Sequence, residues 1–388
     1  MANRVTVYYG PRKAFDEFVD EEIDSGAERV SFLYLIRTYN KLIRASDLAS
    51  GGPKINRPEK VDVCVVHSDD YGSVVSHVIS NFSSVLEEAC DIENLYVQNP
   101  PQRVLESLRA SQAEGTLLFE HYPYRPIEKR MLPDIYRALR KAVLGQERGK
   151  RAIITSLYRL SVMRSDKPAV VLLYGPSGVG KTETARALSL AVGGELMRVQ
   201  FSMMQTQEAY EYLFGAEHSK ASFARDLLSR ESNIVLIDEF DKVSTGLYNM
   251  FYQLFDEGIF EDTNYTVDAR NVLFILTSNF PSEEKARRAL GNAMFSRISA
   301  FVKFDDLSAE DKRTIAKRHF SKIADKLDAC DRTTIDESDI EEWFDLHAND
   351  YNNMRVMKSM IEKAIFTKLS EPIFSEVEDS LNKKPGEE

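Results

Sequence analysis

The chain has little cysteine, no long apolar run and no excess of positive charge, and each shortage removes a class of function. Its three cysteines, Cys64, Cys90 and Cys330, lie far apart and match no metal-ligand spacing. They read as free thiols in a reducing compartment rather than as a disulfide framework or a zinc site. No stretch approaches the ~18 apolar residues of a membrane span. The opening MANRVTVYYGPRK has no apolar core followed by a small-residue cleavage site. A cytoplasmic location with no membrane partner is the expectation. The net charge of −11 argues against nucleic acid as a bulk electrostatic partner. No internal repeat and no low-complexity tract is visible.

What remains is a soluble composition, 43% apolar and 29% charged over 388 residues, with room for two or three domains. In the first third, RVTVYYG (4–10), VDVCVVH (61–67), NLYVQNP (94–100) and GTLLFEHY (115–122) have the β-branched, turn-bounded look of strands. Helical spacing marks 30–43, 74–89 and 104–113, and 49–60 reads as a loop. This alternation predicts a small α/β domain with a mostly parallel sheet over 1–122. Three prolines mark 123–134 as a linker. A second α/β unit is expected over 135–305, a helical unit over 306–375 and a frayed charged tail over 376–388.

The second unit carries the chemistry. VVLLYGPSGVGKTETARAL (170–188) is an apolar strand, a glycine-rich loop and a helix. Gly175, Pro176, Ser177, Gly178, Val179 and Gly180 would turn backbone N–H groups around a β-phosphate at the positive end of the helix, beside Glu183. Lys181 would reach the β- and γ-phosphates and Thr182 would hold Mg²⁺, so ATP and Mg²⁺ are the expected cofactors. In IVLIDEFD (234–241), four apolar residues end in Asp238 and Glu239, at the strand edge where such sheets bind ligands. Asp238 would share the Mg²⁺ shell, and Glu239 would polarise the attacking water. NVLFILTSN (271–279) is a third apolar strand, whose Asn279 could orient that water.

At this point the segment from VLGQ (143–146) to the C-terminal helices resembles the Clp branch of the AAA+ ATPases, above all their second ATPase domain. GPSGVGKTE, RVQFSMM (198–204), LFGA (213–216), VLIDEFDK (235–242), FDEGIFED (255–262), VDARNVLFILTSN (267–279) and SRI (296–298) occur in the family's order. The resemblance implies a P-loop core with a helical lid, ATP hydrolysis, and a homo-oligomeric ring, a hexamer in the family. Arg297 matches the arginine finger that acts on the neighbouring subunit's nucleotide. Arg355 matches the second sensor arginine, with Asn353-Met354 where the family has Gly-Ala. Val143 and Leu144 match the apolar wall around adenine.

Two family features are missing. After Gly215-Ala216, where Clp proteins carry a glycine-flanked aromatic loop, this chain runs into Glu217-His218-Ser219-Lys220. Torsins, a side branch of the family, also lack that aromatic, although this chain differs from them in keeping Lys181-Thr182. A large rigid aromatic grips many sequences at low entropic cost, and the polar residues here cannot replace it. Tyr210, Tyr212 and Phe214, at helical spacing, read as core. The Ile-Gly-Phe or Ile-Gly-Leu tripeptide of protease-docking members is absent as well. In the first domain, His67-Ser68-Asp69-Asp70 follows a strand; a polar turn capping a helix at Val74 outweighs a ligand site, because a lone histidine makes no triad.

The sequence therefore reads as an ATP-hydrolysing remodeller of a protein partner recruited by the first domain, without processive threading or a docked protease. An ATP-dependent assembly switch is the alternative, and a DNA-associated loader the weaker one.

Overall fold

The computed structural model describes residues 2–24, 26–48, 59–113, 115–163, 167–204, 206–217 and 220–382. Its first sheet is built from β1 (Arg4–Tyr9), β2 (Arg29–Ser31), β3 (Glu59–Val66), β4 (Cys90–Gln98) and β5 (Leu117–His121). All neighbours are parallel and the order is β2-β3-β4-β1-β5. Helices α1 (Arg12–Glu22), α2 (Phe32–Leu48), α3 (Ser76–Ser80), α4 (Phe82–Ala89) and α5 (Gln102–Ser111) connect them. Alternate residues of the strands enter different clusters: Val5, Val7, Leu95 and Val97 in one, Tyr8, Val63 and Tyr96 in the other. Period-two alternation thus gives both faces of the sheet an apolar cover. Strand β2 and helix α1 escape the sequence reading. The former is a short edge strand, so the helix expected from residue 30 starts at Phe32. Of the expected loop over 49–60, residues 49–58 lie outside the described residues, and 59–60 are already strand.

The segment read as a linker is partly helical. Helix α6 (Leu132–Ala142) takes up its end, with Pro133 in the first turn, where a missing N–H leaves no hydrogen bond unmade. Helix α7 (Glu147–Val162) follows. The second sheet contains β6 (Ala169–Tyr174), β7 (Met197–Gln200), β8 (Ile234–Asp238), β11 (Leu273–Ser278) and β12 (Ala300–Lys303), in the order β12-β6-β11-β8-β7 and again all parallel. Between β8 and β11 a separate antiparallel hairpin forms from β9 (Ile259–Glu261) and β10 (Thr266–Asp268). Strands β6, β8 and β11 are buried throughout, which is why they read as unbroken apolar runs. Helices α8 (Lys181–Val192), α9 (Thr206–Phe214), α10 (Phe223–Leu228), α11 (Tyr248–Glu257) and α12 (Glu283–Phe295) flank the sheet.

Counted within each five-stranded sheet, both run fifth-first-fourth-third-second. The repeat that the sequence hides is therefore present in the topology. It escapes sequence reading because strand cores accept many apolar residues at the same volume and pattern.

The helical unit comprises α13 (Ala309–Ala324), α14 (Ala329–Asp336), α15 (Ile340–His347) and α16 (Met354–Asn382), packed around Phe320, Ile335, Phe344, Met357 and Ile361. Helix α16 includes Pro372 and continues through 376–382, where a frayed tail was expected. One proline removes a single hydrogen bond, and the following Glu and Leu residues favour helix. Residues 383–388 lie outside the described residues. No helix among the described residues is long and apolar enough to cross a membrane.

Candidate nucleotide site

The carboxyl ends of β6, β8 and β11 point to one place because the strands are parallel and in register, with Tyr174 opposite Ser278 and Leu276 opposite Ile237. Between β6 and α8 the chain turns through Gly175, Gly178 and Gly180, all at positive φ. Glycine is required sterically at two of these. A Cβ on Gly175 would lie 2.1 Å from the Phe304 carbonyl oxygen, and one on Gly178 would lie 2.3 Å from Asn353 Oδ1. The second places the loop close against the start of α16.

Lys181 opens α8 and is buried. Its Nζ donates to the carbonyls of Gly175 at 2.7 Å and Pro176 at 2.6 Å, and to Asn279 Oδ1 at 3.2 Å. Burial lowers its pKa to about 8, against the opposing pull of Asp241 and Asp238. Thr182 Oγ1 donates to Asp238 Oδ2 at 3.4 Å. Asp238 is itself buried and accepts from Arg198 Nε at 3.0 Å and from the Thr277 hydroxyl. The backbone N–H of Glu239, a residue at φ 56°, donates to Thr277 Oγ1 at 2.9 Å. Its carboxylate accepts from Gln200 Nε2 at 3.3 Å and from the Ser202 hydroxyl. A non-glycine residue held in the left-handed region at a strand end is costly by about 1 kcal/mol, and such strain gathers at functional positions.

A cavity of about 250 Å³ is lined by Ser177, Lys181, Thr182, Asp238, Asn279 and Arg355, among others. An adjoining cavity of about 240 Å³ shares Gly178, Gly180, Glu183 and Met354 with it, and adds Val143, Leu144, Val179 and Ile315. The first presents the more polar surface and the second the more apolar one, which is the division a nucleotide needs between phosphates and base. The buried Ser278 Oγ on the polar side has no hydrogen-bond partner among the described residues. Thr182 and Asp238 offer hard oxygen donors, and no group of three or more His, Cys, Asp or Glu side chains among the described residues could hold a metal alone. That set suits Mg²⁺, which is held by one or two protein oxygens together with substrate phosphates.

The fold thus gathers the loop 175–180 with Lys181, Thr182, Glu183, Val143, Leu144, Asp238, Glu239, Asn279 and Arg355 around one cleft. Arg297 is not there. Its Nε donates to Asp256 Oδ2 at 2.8 Å, and its guanidinium lies 4.4 Å from the Tyr252 ring centre, on the side formed by α11 and α12. Sequence reasoning gave no role to Arg198, Gln200, Ser202 or Thr277, nor to His319 and Lys358, which line the adjoining cavity. The first four stood inside quoted motifs, but nothing in the spacing shows that β7 borders β8 and sets Gln200 opposite Asp238.

The described parts of the stretch 213–223, residues 213–217 and 220–223, are held at both ends. Leu213 and Phe223 are fully buried. The Phe214 and Ala216 carbonyls accept from Thr263 N at 3.1 Å and Asn264 Nδ2 at 3.0 Å, at the tip of the β9-β10 hairpin. Tyr212 is core, as expected, whereas Tyr210 is half exposed and stacks on Phe214 at 4.2 Å. His218 and Ser219 lie outside the described residues.

A larger cavity, of about 1030 Å³, lies elsewhere, between the two α/β domains beside Tyr9, Tyr124 and Arg230.

Residues 166–327 match the sequence model of the AAA domain (Cdc48 subfamily). A ClpA homolog protein of Fuscovulum blasticum is 29% identical over 258 residues, which is 63% of this chain and 31% of that relative. The chaperone protein ClpB of Chlamydia caviae is 36% identical over 162 residues, 38% of this chain and 19% of the relative. The AAA+ ATPase ClpV1 of Pseudomonas aeruginosa is 34% identical over 160 residues, 38% of this chain and 18% of the relative. The chain therefore spans less than a third of the length of these curated relatives. A chain of Hsp104, from a closed-state cryoEM reconstruction with ATPγS and FITC casein, superposes with a TM-score of 0.54 at 14% identity. That likeness covers 96% of this chain and 89% of the other, so it extends to the first domain as a shared fold.

Proposed function

We propose that this chain, whose core is a Clp-type AAA+ ATPase domain, uses ATP hydrolysis to remodel a protein partner without processive threading and without a docked protease. The observation that carries this reading is the convergence of Lys181, Thr182, Asp238, Glu239, Asn279 and Arg355 on one cleft. In it Lys181 neutralises the β- and γ-phosphates, and backbone N–H groups of 175–180 cradle them. Thr182 and Asp238 would hold Mg²⁺, which neutralises charge on the phosphate oxygens when bound. Glu239, aimed by Gln200 and Ser202, polarises the attacking water, and Asn279 orients it. Val143 and Leu144 bear on the base, and Arg355 links the phosphates to the helical lid.

Arg297, held by Asp256 outside the cleft, serves the nucleotide of the next subunit, so turnover requires a ring, which we take to be a hexamer. The tethered stretch 214–216 supports the non-threading part of the reading: an element pinned by the hairpin tip suits a dedicated contact.

The test is affinity capture with Glu239→Gln, which should hold ATP unhydrolysed, compared in ATP and in ADP with mass spectrometry of what is retained. One stoichiometric partner held only in ATP is the expected result. A broad set of unfolded proteins would overturn the non-threading part. Rings that form with ATP and retain no partner would favour the assembly-switch reading.

A further inference from the structure

The two sheets share more than strand order. Tyr9 and Tyr174 end their first strands, and each carbonyl accepts from the residue just past the fifth strand: Tyr122 N at 2.8 Å and Phe304 N at 2.8 Å. Gly10-Pro11 then matches Gly175-Pro176, and the first glycine is demanded by the same neighbour. A Cβ on Gly10 would lie 2.5 Å from Tyr122 Cβ, as one on Gly175 would strike Phe304. The ladders continue the match. Val7 opposite Val97 corresponds to Leu172 opposite Leu276, and Val66 opposite Val97 to Ile237 opposite Leu276. His67 therefore stands in the place of Asp238, Ser68 in that of Glu239, Gln98 in that of Thr277 and Pro100 in that of Asn279. Even the brace is retained, since Ser68 N donates to Gln98 Oε1 at 3.2 Å as Glu239 N donates to Thr277 Oγ1.

The residues that would handle a nucleotide have no free counterpart in this second copy: Arg12, which opens α1 as Lys181 opens α8, pairs with Asp69 at 3.2 Å. Helix α1 starts directly after Pro11, whereas Ser177–Gly180 intervene before α8, so no loop is left to cradle a phosphate. The Gly10 carbonyl, whose counterpart Lys181 holds, accepts from Gln98 Nε2 at 3.0 Å and Asn99 Nδ2 at 2.9 Å. His67 Nε2 lies 2.8 Å from Asp16 Oδ1, and His67 N donates to Asp70 Oδ2 at 2.9 Å. The polar turn is thus closed by its own residues, although no side chain caps α3 as the sequence suggested.

The vacated edge is also covered. Asp69 pairs with Arg225 of α10, Asn99 Nδ2 donates to Ser229 Oγ at 3.3 Å, and Tyr124 OH donates to the Leu228 carbonyl at 3.3 Å. Gln102 N, at the start of α5, donates to the Asn264 carbonyl at 2.7 Å. Asn264 is the same hairpin residue whose amide holds Ala216.

We propose that the first domain is a second, nucleotide-free copy of the core fold, and that its former nucleotide edge is an intrachain docking surface. It fixes α10 and the tip of the β9-β10 hairpin, and through them residues 214–216. Its occupant is the ATPase core of the same chain, so this domain acts as a brace on the segment between the phosphate loop and β8. Only the stoichiometry below rests on the nucleotide reading of the core.

The experiment has two arms. Equilibrium binding of a fluorescent ATP analogue with excess Mg²⁺ should give one nucleotide per chain, lost entirely in Lys181→Ala. Two per chain, or one retained in Lys181→Ala, overturns the nucleotide-free assignment. None in the unmodified chain would instead refute the core reading and leave the docking to the second arm. There, hydrogen exchange of peptides covering 213–231 should quicken about fivefold in Asp69→Arg and in Arg225→Asp, and return to the starting rate in the double reversal. Single variants that exchange at the starting rate overturn the docking. Should a reversal fail to fold, Asp69→Asn, which only removes the charge, should still quicken exchange about twofold.

Discussion

The first domain and the second α/β domain differ least where they are buried and most at one edge. Both sheets run fifth-first-fourth-third-second, both keep an apolar cover on each face, and both set a glycine after the first strand. One edge carries Lys181, Asp238, Glu239 and Asn279; the other carries Arg12 paired with Asp69, at a helix start with no phosphate loop before it, and His67, Ser68 and Pro100. The comparison teaches that strand interiors hold the fold while strand ends hold the chemistry, so the chemistry can leave without the fold. The emptied edge then became available for packing, because its polar groups could be satisfied by neighbours such as Ser229 and Arg225.

The sharpest contrast is between lysines. Lys181→Ala should abolish ATP binding, since no other side chain supplies the cation at Gly175. Lys13→Ala, near the matching helix start, should leave binding unchanged because no phosphate loop precedes it. Equilibrium binding on both variants checks this, and an effect of Lys13→Ala would break the comparison. Arg297→Ala comes next. It should leave binding intact and lower turnover by about a thousandfold, the order seen when an arginine finger is lost. Steady-state hydrolysis beside nucleotide binding separates the two, and undiminished turnover would sink the ring assignment.

A smaller effect is expected at the matched pair Thr277 and Gln98. Thr277→Val removes the hydroxyl that joins Asp238 to the Glu239 backbone, so turnover should fall about tenfold with only a modest loss of stability. Gln98→Leu removes the corresponding brace in a domain without chemistry. It should cost about 1–3 kcal/mol of stability and leave turnover per folded chain unchanged. Denaturant unfolding and hydrolysis rates on both variants give the comparison, and the pattern fails if Gln98→Leu slows turnover as Thr277→Val does.

Much of this was legible before the structure. The apolar runs that became β6, β8 and β11 announced a buried parallel sheet, and the strand-loop-helix context made GPSGVGKT readable as a phosphate loop. The phosphate-side residues then fall together because parallel strands put all their carboxyl ends on one edge. What stayed hidden depends on lateral order. Nothing local in RVQFSMM says that its strand lies beside β8, so Arg198, Gln200 and Ser202 had no visible target. The repeat stayed hidden because the residues that make a nucleotide fold recognisable are the ones the first domain has lost. HSDD read as a polar turn although it follows a strand at a chemical position, and Gln98 and Asp70 show that turn closed by its own residues.

The mildest prediction concerns pH and again separates the two edges. Burial holds Lys181 at about 8, against the stabilising pull of Asp241 and Asp238, so in the nucleotide-free chain it carries its proton below that pH and sheds it above. ATP requires the charged form. Binding should therefore weaken as pH rises, by about tenfold between pH 7 and pH 9, as expected for one proton lost through that range. Lys181→Arg offers the control, because a guanidinium stays charged throughout; its binding should be weaker at the outset but level over the same interval. The first domain, with no lysine at that position, contributes nothing to the slope, so Lys13→Ala should titrate like the unmodified chain. Level binding in the unmodified chain would mean that burial does not govern the charge of this lysine.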